Sequence, residues 1–180
     1  AGDKSSTVDD AARHAITKLS SLHFAATTDA ATRVEKMGEE KWRIKLVGAP
    51  ALDVILNEKL PSPKEVNDFL GISPGDDFIL VTQHPVSEMW QDAGAQMRET
   101  LVAVKSFHLP VVVLYSHADA GGRRMVAEIE KEKDNALFRI FPSVSYKMFL
   151  ALERDAAAWV GNSSGMMIES ASFRTPCVNV

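Results

Sequence analysis

Short apolar runs alternate with longer amphipathic stretches along the chain. Val8, Ala12, Ala15 and Leu19 recur at helical spacing, and the polar residues from Thr7 onward are typical of a helix start. Further helices are predicted over residues 28–37, 51–57, 62–70, 88–107, 123–133, 145–154 and 166–173, and strands over residues 22–26, 42–47, 78–82, 110–115, 136–141, 156–160 and 177–180. This alternation predicts an α/β fold with a parallel, doubly wound sheet.

Composition narrows the class of protein. A net charge of −4 and a pI near 5.7 argue against nucleic acid as the main partner. No apolar run approaches the ~20 residues of a membrane span, so we expect no membrane association. The single cysteine, Cys177, cannot form an internal disulfide and is predicted to be buried in a strand. Together with the lack of a visible signal peptide, this favours a cytoplasmic location.

The chain is expected to contain two parts of a longer protein. Two prolines, Pro61 and Pro63, disfavour helix and predict a boundary near residue 60. The chain begins with Ala1 and ends on a strand-like run at Val180, which is typical of an internal fragment.

Polar clusters follow three of the predicted strands. They lie around His84, around residues 117–122, and around residues 163–169, where Ser163 and Ser164 precede Glu169. The carboxyl ends of parallel strands meet at one edge of a sheet, where ligands bind. An edge rich in hydrogen-bond donors with one carboxylate suits a nucleotide, with the diphosphate on the donors and the ribose diol on Glu169.

Other interpretations of these residues remain open. The serines could only cap a helix, and Asp9 could belong to a solvated, ion-paired helix face. Residues 161–165 match G-x-S-x-G, the nucleophile elbow, but no Asp or His follows Ser163 as that motif requires. His84, His117 and Asp119 could form a metal site, although their spacing is not a known one. We predict no metal and no cofactor.

The chain resembles the UDP-N-acetylglucosamine 2-epimerases, and among them the hydrolysing type of sialic acid and related sugar pathways. The stretches that carry the resemblance are residues 8–19 (VDDAARHAITKL), 47–53 (VGAPALD), 83–86 (QHPV), 119–121 (DAG), 161–164 (GNSS) and 175–176 (TP). They occur in family order and cover nearly the whole chain. The Asp-Asp-x-x-Arg-His form at residues 9–14 indicates the hydrolysing type.

The resemblance implies a GT-B-like pair of Rossmann-like lobes with the nucleotide sugar in the cleft. Residues 1–59 would be the C-terminal part of the first lobe, and residues 60–180 most of the second, UDP-binding lobe. The implied reaction eliminates UDP from UDP-N-acetylglucosamine to give a glycal, and water then adds to yield N-acetylmannosamine. The implied partners are this nucleotide sugar and UDP, and the intact protein is expected to be a homo-oligomer.

The resemblance also implies roles for individual residues. Asp9 would be an acid/base group, and His84 would contact the phosphates and help the leaving group depart. Ser163 and Ser164 would hold the diphosphate, and Glu169 the ribose. The remaining substrate-binding positions are His117, where the family usually has Asn, and Val144, whose backbone would meet the uracil.

Departures from the family pattern leave two alternatives. Met166 stands where the family places Gly and would crowd the phosphate turn. The first-lobe residues that should precede Ala1 are absent, so the isolated 180-residue chain is expected to be inactive. The alternatives are a degenerate, non-catalytic UDP-sugar-binding module and a GT-B glycosyltransferase.

Overall fold

The computed structural model describes residues 1–4 and 9–180. The chain forms two compact units, Ala1–Glu58 and Lys59–Val180. The predicted helix start at Thr7 and Val8 lies outside the described residues. No helix in the described part of the chain combines the length and the apolar character that crossing a membrane requires.

The first unit is a small parallel βα structure. Its elements are α1 (Asp9–Leu19), β1 (His23–Ala25), α2 (Thr28–Lys36), a 3₁₀ turn (Lys41–Arg43), β2 (Ile44–Leu46) and α3 (Ala51–Asn57). The two strands pair in parallel, with His23 opposite Ile44. The Thr27 side chain accepts a hydrogen bond from the backbone N–H of Ala30 and so caps α2.

A network of polar contacts around the buried Glu39 links the elements of this unit. Glu39 is buried and accepts hydrogen bonds from Lys18 at 2.9 Å and from His23 Nε2 at 3.1 Å. The bond from Lys18 lowers the pKa of Glu39, and burial opposes this effect. The network therefore joins α1, β1 and the segment after α2.

The second unit contains one five-stranded parallel sheet with helices around it. Its elements are α4 (Pro63–Leu70), β3 (Ile79–Thr82), a 3₁₀ turn (Ser87–Met89), α5 (Ala93–Lys105), β4 (Val111–Leu114), α6 (Gly122–Glu130), β5 (Phe138–Phe141), α7 (Tyr146–Asp155), β6 (Ala158–Gly161), α8 (Gly165–Ile168), α9 (Ser170–Phe173) and β7 (Cys177–Asn179). The strand order is β5-β4-β3-β6-β7, and every pairing is parallel. The predicted α/β class with a parallel, doubly wound sheet is confirmed.

The sheet separates two apolar layers because successive strand residues point to opposite faces. Ile79 and Val81 of β3 pack with α5 and α6, including Met97 and Met125. Leu80 points the other way, into a cluster formed with α4 and α7. That second cluster also contains Val66, Leu70, Leu152, Trp159 and Met166.

Three local predictions are wrong. The helix expected from residue 88 begins at Ala93, after a separate 3₁₀ turn at Ser87–Met89. The helix expected over residues 166–173 is two one-turn helices, α8 and α9, that meet at Glu169. Cys177 is exposed rather than buried, because β7 is the edge strand of the described sheet.

Candidate functional site

The strand order reverses between β3 and β6, the first and fourth strands of this sheet in chain order. The connections leave this point in opposite directions, which opens a crevice at the carboxyl ends of the two strands. His84 follows β3, and Asn162 follows β6. The sequence thus places polar residues at the position where α/β sheets bind ligands.

Asn162 holds His84 in place through a reciprocal pair of hydrogen bonds. The backbone N–H of His84 donates to Asn162 Oδ1 at 2.8 Å, and Asn162 Nδ2 donates to the His84 carbonyl at 2.9 Å. The side-chain amide therefore takes both backbone groups of His84, as a neighbouring strand would. Asn162 lies in the stretch 161–164 that carries the family resemblance, but that stretch alone does not indicate a role for it.

The imidazole rings of His84 and His117 stack on one another. Their centroids are 3.7 Å apart, and the planes are inclined by 12°. The backbone N–H of His117 donates to His84 Nδ1 at 3.4 Å. Since Nδ1 accepts this bond, the neutral His84 ring carries its proton on Nε2, which is then a donor. The structure thus joins two of the three predicted clusters.

His84 is uncharged near neutral pH. Burial and, to a smaller extent, the charge of His117 lower its pKa to about 4, and the charge of Asp119 partly opposes them. His84 therefore offers a fixed N–H donor without a full positive charge.

Glycines allow the backbone segments around His84 to approach closely. A Cβ atom on Gly122 would collide with the carbonyl oxygen of His117, and one on Gly161 would collide with that of Thr82. Gly121 has φ of +94°, and a Cβ there would lie 2.9 Å from Ala93 Cβ. These three positions tolerate only glycine without movement of the backbone.

Ser163 and Ser164 follow directly after Asn162 in the turn. Ser164 is exposed and stands at the N-cap of α8, where its side chain makes no capping hydrogen bond. The capping interpretation therefore fails for the Ser164 hydroxyl. Because α8 has only four residues, it also lacks the long dipole that the sequence pattern suggested.

The side chain of Met166 faces the protein interior. It is 5% exposed and packs in the cluster with Leu152 and Trp159. The expected crowding of the phosphate turn by Met166 is therefore wrong, because helix α8 turns this residue into the core.

Glu169 lies at the junction of α8 and α9 and is 7% exposed. Its Oε1 accepts a hydrogen bond from the Tyr146 hydroxyl at 3.2 Å. Its Oε2 lies 2.8 Å from the point that a Cβ on Gly165 would occupy, so Gly165 leaves room for the carboxylate. Tyr146 was missed in the sequence because it occupies an ordinary polar position of an amphipathic helix.

The other predicted residues lie elsewhere. Asp9 is the first residue of α1 in the first unit and is exposed. Val144 is partly buried against the second apolar cluster. Among residues 1–4 and 9–180, no group of three or more His, Cys, Asp or Glu residues could hold a metal ion, so the metal interpretation of His84, His117 and Asp119 fails.

A cavity of about 530 Å³ lies beside Asn162. Gln83, Gln96 and Thr100 also line it, and Gln83 is 4% exposed. The cavity thus extends the crevice from the switch point toward α5.

Comparison with known proteins gives a consistent family match. The sequence model of the family described as UDP-N-acetylglucosamine 2-epimerase matches residues 1–180. A Neisseria meningitidis serogroup B protein described as UDP-N-acetylglucosamine 2-epimerase is 32% identical over 99% of this chain and 47% of its own length. A Legionella pneumophila protein described as UDP-N,N'-diacetylbacillosamine 2-epimerase (hydrolyzing) is 34% identical over 99% of this chain and 48% of its own. The chain thus spans about half the length of these relatives.

Solved structures agree in fold. The crystal structure of UDP-GlcNAc 2-epimerase from Neisseria meningitidis bound to UDP-GlcNAc matches with a TM-score of 0.72 at 17% identity, over 99% of this chain and 51% of that one. The Methanocaldococcus jannaschii UDP-GlcNAc 2-epimerase in complex with UDP-GlcNAc and UDP matches with a TM-score of 0.67 at 24% identity, over 90% of this chain and 46% of that one. The chain has the α/β fold of these GT-B-like proteins and corresponds to about half of their length.

Proposed function

Because the chain belongs to the UDP-N-acetylglucosamine 2-epimerase family, we propose that the intact protein is a hydrolysing member of it. The reaction eliminates UDP from UDP-N-acetylglucosamine to give a glycal, and water then adds to give N-acetylmannosamine. This product suits the sialic acid and related sugar pathways. We also propose that the intact protein is a cytoplasmic homo-oligomer and that the 180-residue chain alone is inactive.

The observation that supports this proposal best is the neutral His84 held at the strand switch point. Asn162 fixes its backbone, and the His117 N–H fixes its ring with the proton on Nε2. A donor in that position can bind a phosphate oxygen and stabilise the negative charge that develops on UDP as the C1–O bond breaks.

The remaining residues take complementary roles in this proposal. Ser163 and Ser164 donate hydroxyl groups to the diphosphate, and the Glu169 carboxylate accepts hydrogen bonds from the ribose diol. His117 borders the phosphates through its contact with His84, and the backbone near Val144 meets the uracil.

Asp9 of the first unit is the proposed acid/base group of the intact protein. It can accept or return a proton when the glycal forms or is hydrated. We make this assignment from the residues 9–14 that match the hydrolysing type.

A second candidate substrate is UDP-N,N'-diacetylbacillosamine. The Legionella pneumophila relative, at 34% identity, carries that substrate in its name. Both sugars have a UDP group and a 2-acetamido group, so one nucleotide site serves either. Their difference lies in the hexose, which the second unit alone does not define.

Incubation of the intact protein with each nucleotide sugar tests the proposal. We expect release of UDP together with a free 2-acetamido sugar inverted at C2, measured by NMR. A folded protein that binds UDP but leaves both substrates unchanged would support the non-catalytic module instead. A requirement for an acceptor sugar before UDP is released would support a glycosyltransferase.

A further inference from the structure

A glutamate outside the sequence motifs is fully buried beside the proposed nucleotide site. Glu153 of α7 is 0% exposed. Seven residues separate it from Tyr146, so two helical turns place both on one face of α7. Tyr146 binds the Glu169 carboxylate from that face.

The carboxyl group of Glu153 lacks a donor within the described residues. Neither Oε1 nor Oε2 receives a hydrogen bond there. The hydroxyl of Thr175 donates to the backbone carbonyl of Glu153 at 2.7 Å, and that of Ser170 donates to the carbonyl of Met166. A buried carboxylate without any donor is costly, so this group needs a proton.

The Glu153 carboxyl group faces that of Glu169. Two carboxylates are both acceptors, and they attract one another only when one of them carries a proton. Glu153 is the more deeply buried of the two, at 0% against 7% exposed. The proton therefore resides on Glu153, and the negative charge on Glu169.

We propose that Glu153 is a positioning residue, a neutral carboxylic acid that donates its proton to Glu169 and orients that carboxylate toward the ribose diol. The inference rests on the proposed function, which assigns the ribose to Glu169. Tyr146 and Glu153 thus donate to Glu169 from positions two turns apart on one helix, and its remaining acceptor sites serve the ligand.

The titration behaviour of the pair agrees with this arrangement. Burial, together with the charge of Glu169 and a hydrogen bond to it, raises the pKa of Glu153 to about 9. The pair consists of Glu153 from α7 and Glu169 from the α8–α9 junction, and the ionisable group that faces it is Tyr146, also from α7. Burial and the charge of Glu169 also raise the pKa of Tyr146, so of these two groups Glu153 loses its proton first as pH rises.

Three variants of the intact protein separate these contributions, with the dissociation constant of UDP as the readout. Glu153→Gln keeps a donor to Glu169 but cannot ionise, and Glu153→Leu removes the donor. Tyr146→Phe removes the tyrosine hydroxyl and leaves the carboxyl pair. UDP and 2′-deoxy-UDP are compared at each pH from 6 to 10, because the deoxy analogue lacks one hydroxyl of the diol.

At pH 7.5, we expect Glu153→Leu to weaken UDP binding about tenfold, the size of one hydrogen bond to a charged group, and to lose the preference over 2′-deoxy-UDP. Glu153→Gln should bind within about threefold of wild type at that pH. Above pH 9, wild type and Tyr146→Phe should lose their preference for UDP over 2′-deoxy-UDP, whereas Glu153→Gln should keep it. The ratio of the two affinities is used because both ligands share the ionisation of uracil N3–H.

Wild-type affinity in a folded Glu153→Leu protein would overturn the inference alone, and so would a loss of the preference over 2′-deoxy-UDP near pH 9 that persists in Glu153→Gln. UDP binding with this pattern but without turnover would overturn the proposed reaction and leave the inference standing. A wild-type protein that fails to bind UDP would overturn both.

Discussion

In two regions of the second unit, burial keeps an ionisable group neutral. It lowers the pKa of a histidine in one region and raises the pKa of a glutamate in the other. We call His84, His117 and Asn162 the histidine corner, and Tyr146, Glu153 and Glu169 the carboxyl corner. Burial lowers the pKa of His84 to about 4 and raises that of Glu153 to about 9. Near pH 7, the histidine corner therefore presents an N–H donor, and the carboxyl corner presents a single negative charge, on Glu169.

The difference between the corners matches the two ends of a nucleoside diphosphate. Phosphate oxygens accept hydrogen bonds, so they need the donors of the histidine corner. A ribose diol donates hydrogen bonds, so it needs the acceptor of the carboxyl corner. A bound nucleotide is thereby oriented by the direction of its hydrogen bonds as well as by shape.

Removal of the imidazole at the histidine corner should have the largest effect. His84→Ala should lower the turnover of UDP-N-acetylglucosamine by about 10²–10⁴-fold, the usual contribution of a positioned proton donor. The measurement is kcat for UDP release by the intact protein. His108→Asn is the matched control, since His108 precedes β4 at the opposite edge of the sheet. An equal loss of kcat in both variants would show that the histidine corner has no special role in turnover.

Asn162→Ala should have the next largest effect. The variant leaves His84 in place but removes both hydrogen bonds to its backbone. We expect kcat to fall by about 10–100-fold, because a positioning group contributes through the alignment of another. Asn162→Asp keeps the acceptor for the His84 N–H but sets a second acceptor against the His84 carbonyl, so it should lose activity as well. Unchanged turnover in Asn162→Ala would show that the stack on His117 holds His84 by itself.

The sequence did not predict the contacts within either corner, although it predicted the strands before the histidine corner and helix α7 of the carboxyl corner. His84 and Asn162 are separated by 78 residues, and their pairing depends on a strand order that a periodic pattern does not define. The cluster positions could be predicted because polar residues after parallel strands converge on one edge. Which side chains touch depends on tertiary packing.

The burial of Glu153 could not be predicted from the sequence either. Glu153 follows Leu152 in an amphipathic helix and looks like a solvent-facing position. Its burial comes from the fold around the junction of α8 and α9, where one predicted helix breaks in two at Glu169. Cys177 fails in the opposite sense, since an apolar run does not reveal which strand lies at the edge of the sheet.

The pH dependence of the free energy of unfolding tests whether Glu153 is neutral in the carboxyl corner. The folded pKa of Glu153, about 9, exceeds the unfolded value of about 4.3, so the native state binds more protons between these values. The stability conferred by the protonated group is complete below the unfolded pKa and is lost as pH rises toward 9. Glu153→Leu should abolish this decline and raise the free energy of unfolding at pH 8 by about 1–3 kcal/mol.

Urea denaturation of wild type and Glu153→Leu at pH 5 and pH 8 provides the measurement. The difference in free energy of unfolding between the two proteins should be larger at pH 8. At that pH, wild-type Glu153 is protonated in the folded state and ionised in the unfolded state, whereas leucine does not titrate. A difference that is constant with pH would mean that Glu153 ionises alike in the folded and unfolded protein. The carboxyl corner would then hold two charges, and the parallel with the histidine corner would be lost.

Arg174→Gly should have the smallest effect and isolates stability from binding. Arg174 ends α9 with φ of +61°, a left-handed conformation that glycine adopts without strain, and its side chain is exposed. We expect a gain of about 0.5–1 kcal/mol in the free energy of unfolding, measured by urea denaturation. His108→Gly, at φ of +56°, is the matched control and should gain a similar amount. UDP affinity should stay within about twofold in both, because neither side chain enters a corner. A stabilised Arg174→Gly protein with altered UDP affinity would show that the carboxyl corner responds to the backbone of α9, so that the two corners differ in rigidity as well as in charge.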